Sequence, residues 1–332
     1  MTDTASMLAA WPSSAGGPEV ITVGPRPRPQ AGPGQVLIET HFAGVNRHDV
    51  NQRARGSGPK GSTDILGLEV SGRIAALGSG VRDLATGAEV CALVDGGGYA
   101  QWVVAEASLV LPKPEKLDLR ESAGLPEALF TCWFNVIELG RLRPGDWLLV
   151  HGGTSGVGSL TLQVAKSLGA RTIATAGSDA KCEAARAFGA DVAVNYRSED
   201  FVAEVQAATG GRGVDVILDM VGGAYSERNL AALAMDGRIL HLASGSSPVW
   251  SAPLRLIMEK RAIVTGSLLR PLELVRKTAI ASVLKERIWP LLGTSIRPGI
   301  DLVLPLREAA SAHERMETGE HIGKILLDCR TR

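Results

Sequence analysis

Leu148-Leu149-Val150-His151-Gly152-Gly153-Thr154-Ser155-Gly156-Val157-Gly158 carries an apolar run directly into a glycine-rich turn. The next residues, as far as Leu168, have the apolar spacing of an amphipathic helix. Strand, tight turn and helix start form a geometry that binds a pyrophosphate, because glycines let the backbone approach phosphates and a helix N-terminus offers N–H groups. An ordinary glycine-rich connection has the same composition, so the surrounding sequence must decide between the two interpretations.

The composition is typical of a globular protein with two domains. The chain has 332 residues, of which 45% are hydrophobic and 21% are charged. This length is more than one hydrophobic core usually needs. Its 35 basic and 35 acidic residues argue against a nucleic-acid or membrane partner held by bulk charge. The sequence contains no signal peptide and no apolar run of about 18 residues, so we expect a cytoplasmic protein.

The two parts of the sequence differ in pattern. Residues 1–125 contain short apolar strands separated by glycine and proline, which predicts a β-rich, barrel-like domain. From residue 126, strands alternate with helices, which predicts a doubly wound parallel sheet. The predicted strands of this sheet are Leu148–Val150, Arg171–Ala176, Val192–Val194, Val214–Asp219 and Arg238–Leu242. The glycine loop follows the first of them, where a dinucleotide fingerprint lies, so the sequence predicts an α/β protein with a dinucleotide site.

The end of the second predicted strand favours NADPH over NADH. An NAD site normally places an acidic residue there, whereas an NADP site has small and basic groups that accept the 2′-phosphate. Here the strand ends in Ala176-Gly177-Ser178, and Lys181 follows one helical turn later. Asp179 complicates this prediction unless it is a first-turn helix residue that faces solvent. The alternative to a 2′-phosphate contact for Lys181 is a position on a solvated helix face.

Several further motifs connect the chain with a known family. In addition to the glycine loop, they are Gly44–Asp49, Ile65–Gly72, Pro126–Thr131, Val194–Tyr196, Gly266–Arg270 and His321–Ile325. With them the chain resembles the zinc-independent quinone oxidoreductases (zeta-crystallin-like) of the medium-chain dehydrogenase/reductase superfamily, and within these the tumour-suppressor-inducible subgroup. The resemblance implies a GroES-like catalytic domain at 1–125 and 270–332, a Rossmann-type NADPH-binding domain at 126–269, and a homodimer or homotetramer.

Carried over by position, the resemblance also implies which residues contact NADPH. Asn46 and Thr131 are expected near the nicotinamide, and Asn46 is the candidate catalytic residue, holding an acceptor carbonyl or a cofactor ribose. The alternative for Tyr196 is a tyrosine packed at the end of a strand. The alternative for Lys324 is a surface lysine. The other expected contacts are Gly153, Ser155, Gly156, Val157 and Gly158 at the pyrophosphate, Gly177, Ser178, Lys181 and Tyr196 at the 2′-phosphate ribose, Leu242, Ala243, Ser244, Ser267, Leu268 and Leu269 through their backbone, and Lys324 at a phosphate or ribose.

The zinc-dependent alcohol dehydrogenases of this superfamily differ from the chain at three ligand positions. They place a cysteine where this chain has Asn46, a histidine where it has Leu68, and a cysteine where it has Glu127. Because these three side chains cannot assemble a nitrogen and sulfur ligand set, we expect no metal. Nearby Cys132 and His48 do not fall on ligand positions. Without a Lewis acid, reduction of an activated acceptor is favoured over alcohol oxidation.

The segment after the asparagine motif departs from the family pattern. Relatives often carry tyrosines there that line the substrate pocket, whereas Asn51–Gly58 contains none. The surface for stacking a flat quinone is therefore reduced. Asn51, Gln52 or Arg55 is expected to contact a polar or bulky acceptor, and His48 is either a proton relay or a structural histidine.

The function that the resemblance implies is NADPH-dependent reduction of a quinone-type acceptor by direct hydride transfer. The protein would mainly supply orientation and a dry pocket at the domain cleft. Two alternatives stay open. One is an NADPH-dependent enoyl or 2-alkenal double-bond reductase, and the other is an NADPH-binding structural or regulatory protein with little turnover.

Overall fold

The computed structural model describes residues 6–56, 58–59, 61–245 and 247–330. The chain divides into two compact units, one formed by Met1–Glu127 with Glu273–Arg332 and one formed by Ala128–Leu272. We call them the split unit and the central unit. The sequence placed the corresponding boundaries a few residues earlier, after residues 125 and 269.

The described residues form strands and helices that are numbered here in chain order. The strands are β1 (Ser6–Pro12), β2 (Ile21–Pro27), β3 (Gln35–Val45), β4 (Glu69–Leu77), β5 (Glu89–Leu93), β6 (Trp102–Glu106), β7 (Val110–Pro112), β8 (Trp147–His151), β9 (Arg171–Ala176), β10 (Val192–Asn195), β11 (Val214–Asp219), β12 (Leu233–His241), β13 (Ile263–Gly266), β14 (Ile300–Pro305) and β15 (Lys324–Asp328). The α-helices are α1 (Arg47–Arg55), α2 (Leu119–Ser122), α3 (Pro126–Cys132), α4 (Gly156–Ser167), α5 (Asp179–Ala187), α6 (Phe201–Thr209), α7 (Ser226–Ala232), α8 (Leu254–Lys260), α9 (Leu274–Arg287) and α10 (Ala309–Thr318). None of these helices is long and apolar enough to cross a membrane.

The split unit is built on a seven-stranded sheet around β3. Its strands follow the order β14-β15-β3-β4-β5-β7, and β6 also pairs with β3. The pairing of β15 with β3 is antiparallel and runs from Ile325 opposite Val45 to Asp328 opposite Phe42. The end of the chain is thereby joined to the N-terminal strands, which is why residues far apart in sequence share one core.

The central unit contains a parallel six-stranded sheet in the order β10-β9-β8-β11-β12-β13. Counted from its first strand, this order is 3-2-1-4-5-6, the doubly wound arrangement that reverses direction at the first strand. Side chains of β8 alternate between two cores, with Leu148 and Val150 in one and Leu149 in the other. Because both faces of the sheet are covered, β8 is apolar as far as Val150, and only its last residue, His151, is polar. The predicted α/β fold class is confirmed.

The last strand–helix unit of this sheet, α8 and β13, was not predicted from the sequence. Helix α8 buries none of its residues, and Ile263 of β13 is 40% exposed because that strand lies at the sheet edge. A weakly buried helix and an edge strand lack the hydrophobic periodicity on which the prediction depends. The predicted alternation therefore ended one unit too early.

Candidate functional site

The glycine-rich loop lies between the carboxyl ends of β8 and β9. Gly152 has a φ of +71°, in the left-handed region that favours glycine. The N–H groups of Gly152 and Gly153 both donate to the carbonyl oxygen of Thr175, over 3.1 and 3.0 Å. Ser155 caps α4, because its Oγ accepts a hydrogen bond of 3.0 Å from the N–H of Gly158. Hydrogen bonds thus fix the loop at both of its ends. The first turn of α4, with the N–H groups of a helix start, follows directly after the loop.

Two glycines of the loop occupy positions with no room for a side chain. A Cβ on Gly153 would come within 2.5 Å of the Cβ of Ala174 in β9. A Cβ on Gly158 would collide with the carbonyl oxygen of Gly152. The helix, the loop and the second strand therefore approach each other through bare backbone, which is the packing that a pyrophosphate cradle requires.

Four predicted contacts of the 2′-phosphate ribose lie around the carboxyl end of β9. Ser178 caps α5, and its Oγ accepts a hydrogen bond of 3.3 Å from the N–H of Lys181. Tyr196 is 42% exposed, and its hydroxyl lies so close to Gly177 that a Cβ there would be 2.6 Å away. The structure thus brings Gly177, Ser178, Lys181 and Tyr196 together at one strand end.

Asp179 is the first residue of α5 and is exposed. Its carboxylate accepts a hydrogen bond of 2.7 Å from Nδ2 of Asn195, at the end of β10. The carboxylate is therefore held against the third strand of the sheet, as a first-turn helix residue.

A cavity of about 690 Å³ lies at the carboxyl ends of the strands on the other side of the switch point. It is lined by the ends of β12 and β13 and by the loops that follow them. The predicted cofactor contacts that line it are Leu242, Ala243, Ser244, Ser267 and Leu268. Leu269 is not among its lining residues.

One side chain that the sequence analysis missed links Thr131 to this cavity. Nδ2 of Asn135 donates to the carbonyl oxygen of Thr131 over 2.9 Å, and the hydroxyl of Ser267 donates to Oδ1 of Asn135 over 2.8 Å. Asn135 is buried in a π-helical segment, Trp133–Leu139, that continues α3. π-Helical turns inside α-helices occur frequently at functional sites, although the sequence carries no direct signal for one.

A buried polar network lies behind the loop. His151, at the end of β8, contacts Oγ1 of Thr175 through Nδ1 at 3.0 Å and Oδ1 of Asn229 through Nε2 at 2.8 Å. Nδ2 of Asn229 donates to Asp219 over 2.9 Å, and the same carboxylate lies 3.3 Å from Nδ1 of His241. Burial lowers the pKa of His151 below its ordinary value. The signal that the sequence analysis overlooked is the position of Asp219 and His241 as the last residues of two adjacent strands, where ligands bind in this class of fold.

In the split unit, Asn46 and Lys324 form a buried cluster with Glu69. The ammonium group of Lys324 lies 2.7 Å from Oδ1 of Asn46 and forms an ion pair with Oε1 of Glu69, which also accepts a hydrogen bond of 2.9 Å from Nδ2 of Asn46. The other carboxylate oxygen of Glu69 accepts from the N–H of Glu127. Two residues predicted for the cofactor or the acceptor are thus brought together, with a lysine ammonium beside the asparagine.

The three residues of helix α1 that were expected to contact the acceptor substrate have different surroundings. Asn51 and Arg55 are exposed, and Nε of Arg55 donates to the carbonyl oxygen of Asn51 over 3.1 Å. Gln52 is buried, with 2% of its surface exposed. The three residues therefore do not form one shared surface. Ser57, within the segment that lacks the tyrosines, lies outside the described residues.

The first turn of α1 leads into a chain of buried titratable groups. Asp49 accepts hydrogen bonds from the backbone N–H of Asn46 at 2.8 Å and from the hydroxyl of Tyr99 at 3.1 Å. That hydroxyl also lies 3.2 Å from Nε2 of His313. Burial raises the pKa of Asp49 to about 6 and lowers the pKa of His313 to about 3.

The remaining candidates have unremarkable surroundings. His48 is half-buried in α1. Burial raises the pKa of the Cys132 thiol to about 12, so this thiol stays protonated and unreactive at neutral pH. Within residues 6–56, 58–59, 61–245 and 247–330, no three His, Cys, Asp or Glu side chains are grouped so that they could hold a metal ion.

Comparison with known proteins places the chain in a family. The family model "Zinc-binding dehydrogenase" matches residues 156–284, and "Alcohol dehydrogenase GroES-like domain" matches residues 32–115. Quinone oxidoreductase of Rattus norvegicus is 30% identical over 320 residues, which are 94% of each protein. The chain belongs to the medium-chain dehydrogenase/reductase superfamily.

Solved structures extend the similarity over nearly the whole chain. Escherichia coli quinone oxidoreductase complexed with NADPH has a TM-score of 0.86 and 26% identity, over 98% of this chain and 100% of that one. An NAD-dependent alcohol dehydrogenase has a TM-score of 0.84 and 32% identity, over 97% and 99% of the two chains. One of these proteins is described with NAD and the other with NADPH, so the similarity alone does not distinguish the two cofactors.

A second group of similar proteins is much longer. A mycocerosic acid synthase-like polyketide synthase of Mycobacterium tuberculosis is 30% identical over 300 residues, which cover 90% of this chain. The chain spans 14% of the length of that synthase.

Proposed function

We propose that the chain binds NADPH and reduces a quinone-type acceptor by direct hydride transfer, without zinc. The observation that carries this proposal is the end of β9, where Gly177, Ser178, Lys181 and Tyr196 surround the position at which NAD sites carry an acidic residue. The nearest acid, Asp179, is held by Asn195. Similarity to the rat and Escherichia coli quinone oxidoreductases supports the acceptor class.

The chain's own groups fit a dinucleotide. The backbone of Gly153 and of Ser155–Gly158 would hold the pyrophosphate, because the glycines leave a cradle that a Cβ would fill. Lys181 and the hydroxyl groups of Ser178 and Tyr196 would hold the 2′-phosphate. When bound, NADPH supplies the hydride. The residues beside the cavity would position the ring and exclude water, which is the main catalytic contribution that we assign to the protein.

The charged and hydrogen-bonded side chains around Asn46 support a reaction without zinc. Its amide oxygen accepts from the ammonium group of Lys324, and that ammonium is paired with Glu69. A cationic side chain thus lies beside the residue that stands where zinc-dependent relatives have a ligand. We propose that Asn46 holds an acceptor carbonyl or a cofactor ribose. Membership of the tumour-suppressor-inducible subgroup and a cytoplasmic location also remain proposals.

The test is consumption of NADPH and of NADH with a panel of ortho-quinones, para-quinones and enones. We expect oxidation of NADPH by quinones, with little oxidation of NADH. A preference for NADH would overturn the cofactor assignment. Tight binding of NADPH with no oxidation by any acceptor would instead favour the structural or regulatory alternative.

A matched pair of lysine variants tests the 2′-phosphate site. Lys181→Ala should raise the Kd for NADPH about tenfold and leave the Kd for NADH unchanged, because only NADPH carries the extra phosphate. Lys166→Ala is the control, since Lys166 pairs with Asp191 on the exposed side of α4. Equal effects of Lys181→Ala on both nucleotides would argue against this phosphate site.

The second candidate is reduction of a carbon–carbon double bond next to a carbonyl. The similarity to polyketide synthases favours it, because enzymes that build acyl chains use a hydride donor to saturate such bonds. The same fold and cofactor site would serve both reactions. Turnover of enones, with none of any quinone, would select this candidate in the acceptor panel.

A further inference from the structure

A single buried carboxylate joins two segments of the split unit. Asp49, in the first turn of α1, is fully buried. Its Oδ2 accepts hydrogen bonds from the backbone N–H of Asn46 over 2.8 Å and from the hydroxyl of Tyr99 over 3.1 Å. Its Oδ1 accepts from the backbone N–H of Gly67 over 3.2 Å. Because all three partners donate, this position requires a group that accepts on both sides, which is what an ionised carboxylate does.

The sheet does not join these two segments at this point. The last paired residues of β3 and β4 are Ala43 and Val70. Asn46 directly follows the end of β3, and Gly67 comes before the start of β4. Both residues therefore lie beyond the backbone hydrogen bonds of that strand pair. The carboxylate of Asp49 bonds to both of their N–H groups and so holds one segment against the other.

The relative position of the two segments determines the surroundings of the Asn46 side chain. Its Nδ2 donates to Oε1 of Glu69 over 2.9 Å, and its Oδ1 accepts from the ammonium group of Lys324 over 2.7 Å. Gly44 leaves the space for this carboxylate, since a Cβ there would collide with Oε1 of Glu69. With a carboxylate beside its nitrogen and an ammonium beside its oxygen, the amide has one favourable orientation. A shift of either segment would separate these groups.

We propose that Asp49 is a positioning residue for Asn46. This inference rests on the proposed role of Asn46, which is to hold an acceptor carbonyl or a cofactor ribose. Asp49 acts through Asn46, because it fixes the backbone of that residue against the segment that leads into Glu69. The amide of Asn46 is thereby kept between Glu69 and Lys324. Asp49 was not predicted as a site residue from the sequence.

A double-mutant cycle tests the proposal. Asp49→Asn keeps the shape of the side chain, but its amide nitrogen donates, so one of the two backbone N–H groups loses its acceptor. Tyr99→Phe is the matched control, because it removes one hydrogen bond from the same carboxylate and leaves both backbone hydrogen bonds in place. Asn46→Ala and Asn46→Ala/Asp49→Asn complete the cycle. For each protein, kcat/KM is measured with NADPH and the most active quinone of the panel, together with the thermal unfolding midpoint.

We expect Asp49→Asn to lower kcat/KM about tenfold in the wild-type background. In the Asn46→Ala background it should lower kcat/KM by no more than about twofold, because no amide is left to position. Tyr99→Phe should lower the unfolding midpoint and keep kcat/KM within about twofold of the wild type. The inference is overturned by equal losses in the two backgrounds, by an unchanged kcat/KM in Asp49→Asn, or by an equal loss in Tyr99→Phe.

A crystal structure of Asp49→Asn gives a readout that does not depend on activity. We expect the amide of Asn46 to have lost its contact with Glu69 or Lys324, and unchanged contacts would overturn the inference. If Asp49→Asn does not fold, Asp49→Ala, which removes the carboxylate without adding a donor, replaces it in both measurements. Full kcat/KM in Asn46→Ala would refute the role of Asn46 and with it the inference. A wild type that oxidises NADPH with no acceptor would refute the proposed function, and the crystal structure alone then decides the inference.

Discussion

At the scale of single residues, the buried ion pair of the split unit is the most consequential feature. Glu69 is fully buried and Lys324 is 3% exposed. A buried charge is tolerated only when it is paired and hydrogen-bonded, and Asn46 together with the N–H of Glu127 provides the additional partners. Asn46, which stands where zinc-dependent relatives have a ligand, therefore depends on Glu69 and Lys324 for its hydrogen bonds.

Removing the lysine should destabilise the protein strongly. Lys324→Met leaves the carboxylate of Glu69 buried without a counter-charge, and we expect the free energy of unfolding to fall by about 3–5 kcal/mol. The double variant Glu69→Gln/Lys324→Met should recover most of this loss, because it contains neither charge. Urea titration measures both.

The control for this pair is Lys166→Met. Its exposed ion pair with Asp191 should contribute less than about 1 kcal/mol. A double variant that is as unstable as Lys324→Met would show that the charge of Glu69 is not the cause.

His313 should make the protein sensitive to acid. Burial lowers its pKa in the folded state from 6.5 to about 3. Between these values the unfolded chain binds the proton and the folded protein does not, so stability falls as the pH drops through this window, by up to about 1.4 kcal/mol per pH unit.

Unfolding free energies measured from pH 7 to pH 3.5 check this expectation. His313→Gln removes the titrating group, so its stability should fall less steeply with decreasing pH than that of the wild type. Asp49, whose raised pKa has the opposite effect in this range, is present in both proteins. If the unfolding free energies of the wild type and of His313→Gln fall equally steeply with decreasing pH, the acid sensitivity does not come from His313.

At the scale of elements, the loop between β8 and α4 joins sequence to function most directly. Gly152 needs to be glycine because of its positive φ. Gly153 and Gly158 need to be glycine because neighbouring atoms leave no room for a Cβ. Sequence alone predicted this strand, turn and helix, because their signals are local: an apolar run, turn residues and helical periodicity.

Substitution in this loop should affect ligand binding more than a substitution elsewhere does. Gly158→Ala places a Cβ against the carbonyl oxygen of Gly152, which displaces the start of α4 and should raise the Kd for NADPH at least about tenfold. Gly210→Ala is the control, since Gly210 has nothing within 4 Å of its Cβ position, although unlike Gly158 it has a positive φ of 62°.

The two variants are compared by calorimetry and thermal unfolding. Gly210→Ala should cost about 1 kcal/mol of stability through backbone strain and leave the Kd unchanged. If both variants weaken NADPH binding equally, the close approach at Gly158 is not specific to the site.

At the scale of the whole molecule, the edge of the central sheet predicts self-association. Strand β13 is the last strand of that sheet, and Ile263 in it is 40% exposed. The preceding helix exposes Leu254 and Met258, at 74% and 69%. An unprotected edge strand beside exposed apolar side chains is a surface that a second copy can cover.

Light scattering after size-exclusion chromatography tests this proposal. We expect a mass of twice the chain mass of 34.8 kDa, and a shift towards the monomer in Ile263→Lys. Leu77→Lys, at an exposed position of the split unit, is the control and should not change the mass. A monomeric wild type would refute the homodimer, and a tetramer would indicate an additional interface.

The sequence by itself determined the α/β class, five of the six strands of the parallel sheet and the glycine loop. These follow from local patterns, since side-chain period and turn chemistry are written in neighbouring residues. It also pointed to the residues at the end of β9, because the rule for the 2′-phosphate refers to a fixed place after a strand.

Only the tertiary structure decided which distant residues meet. The approach of Lys324 to Asn46 and Glu69 depends on the pairing of β15 with β3, and the Asp219–His241 pair depends on the adjacency of β11 and β12. Such contacts join residues that share no local signal. Burial then determines their chemistry, because a carboxylate or an imidazole removed from water must find its partners within the fold.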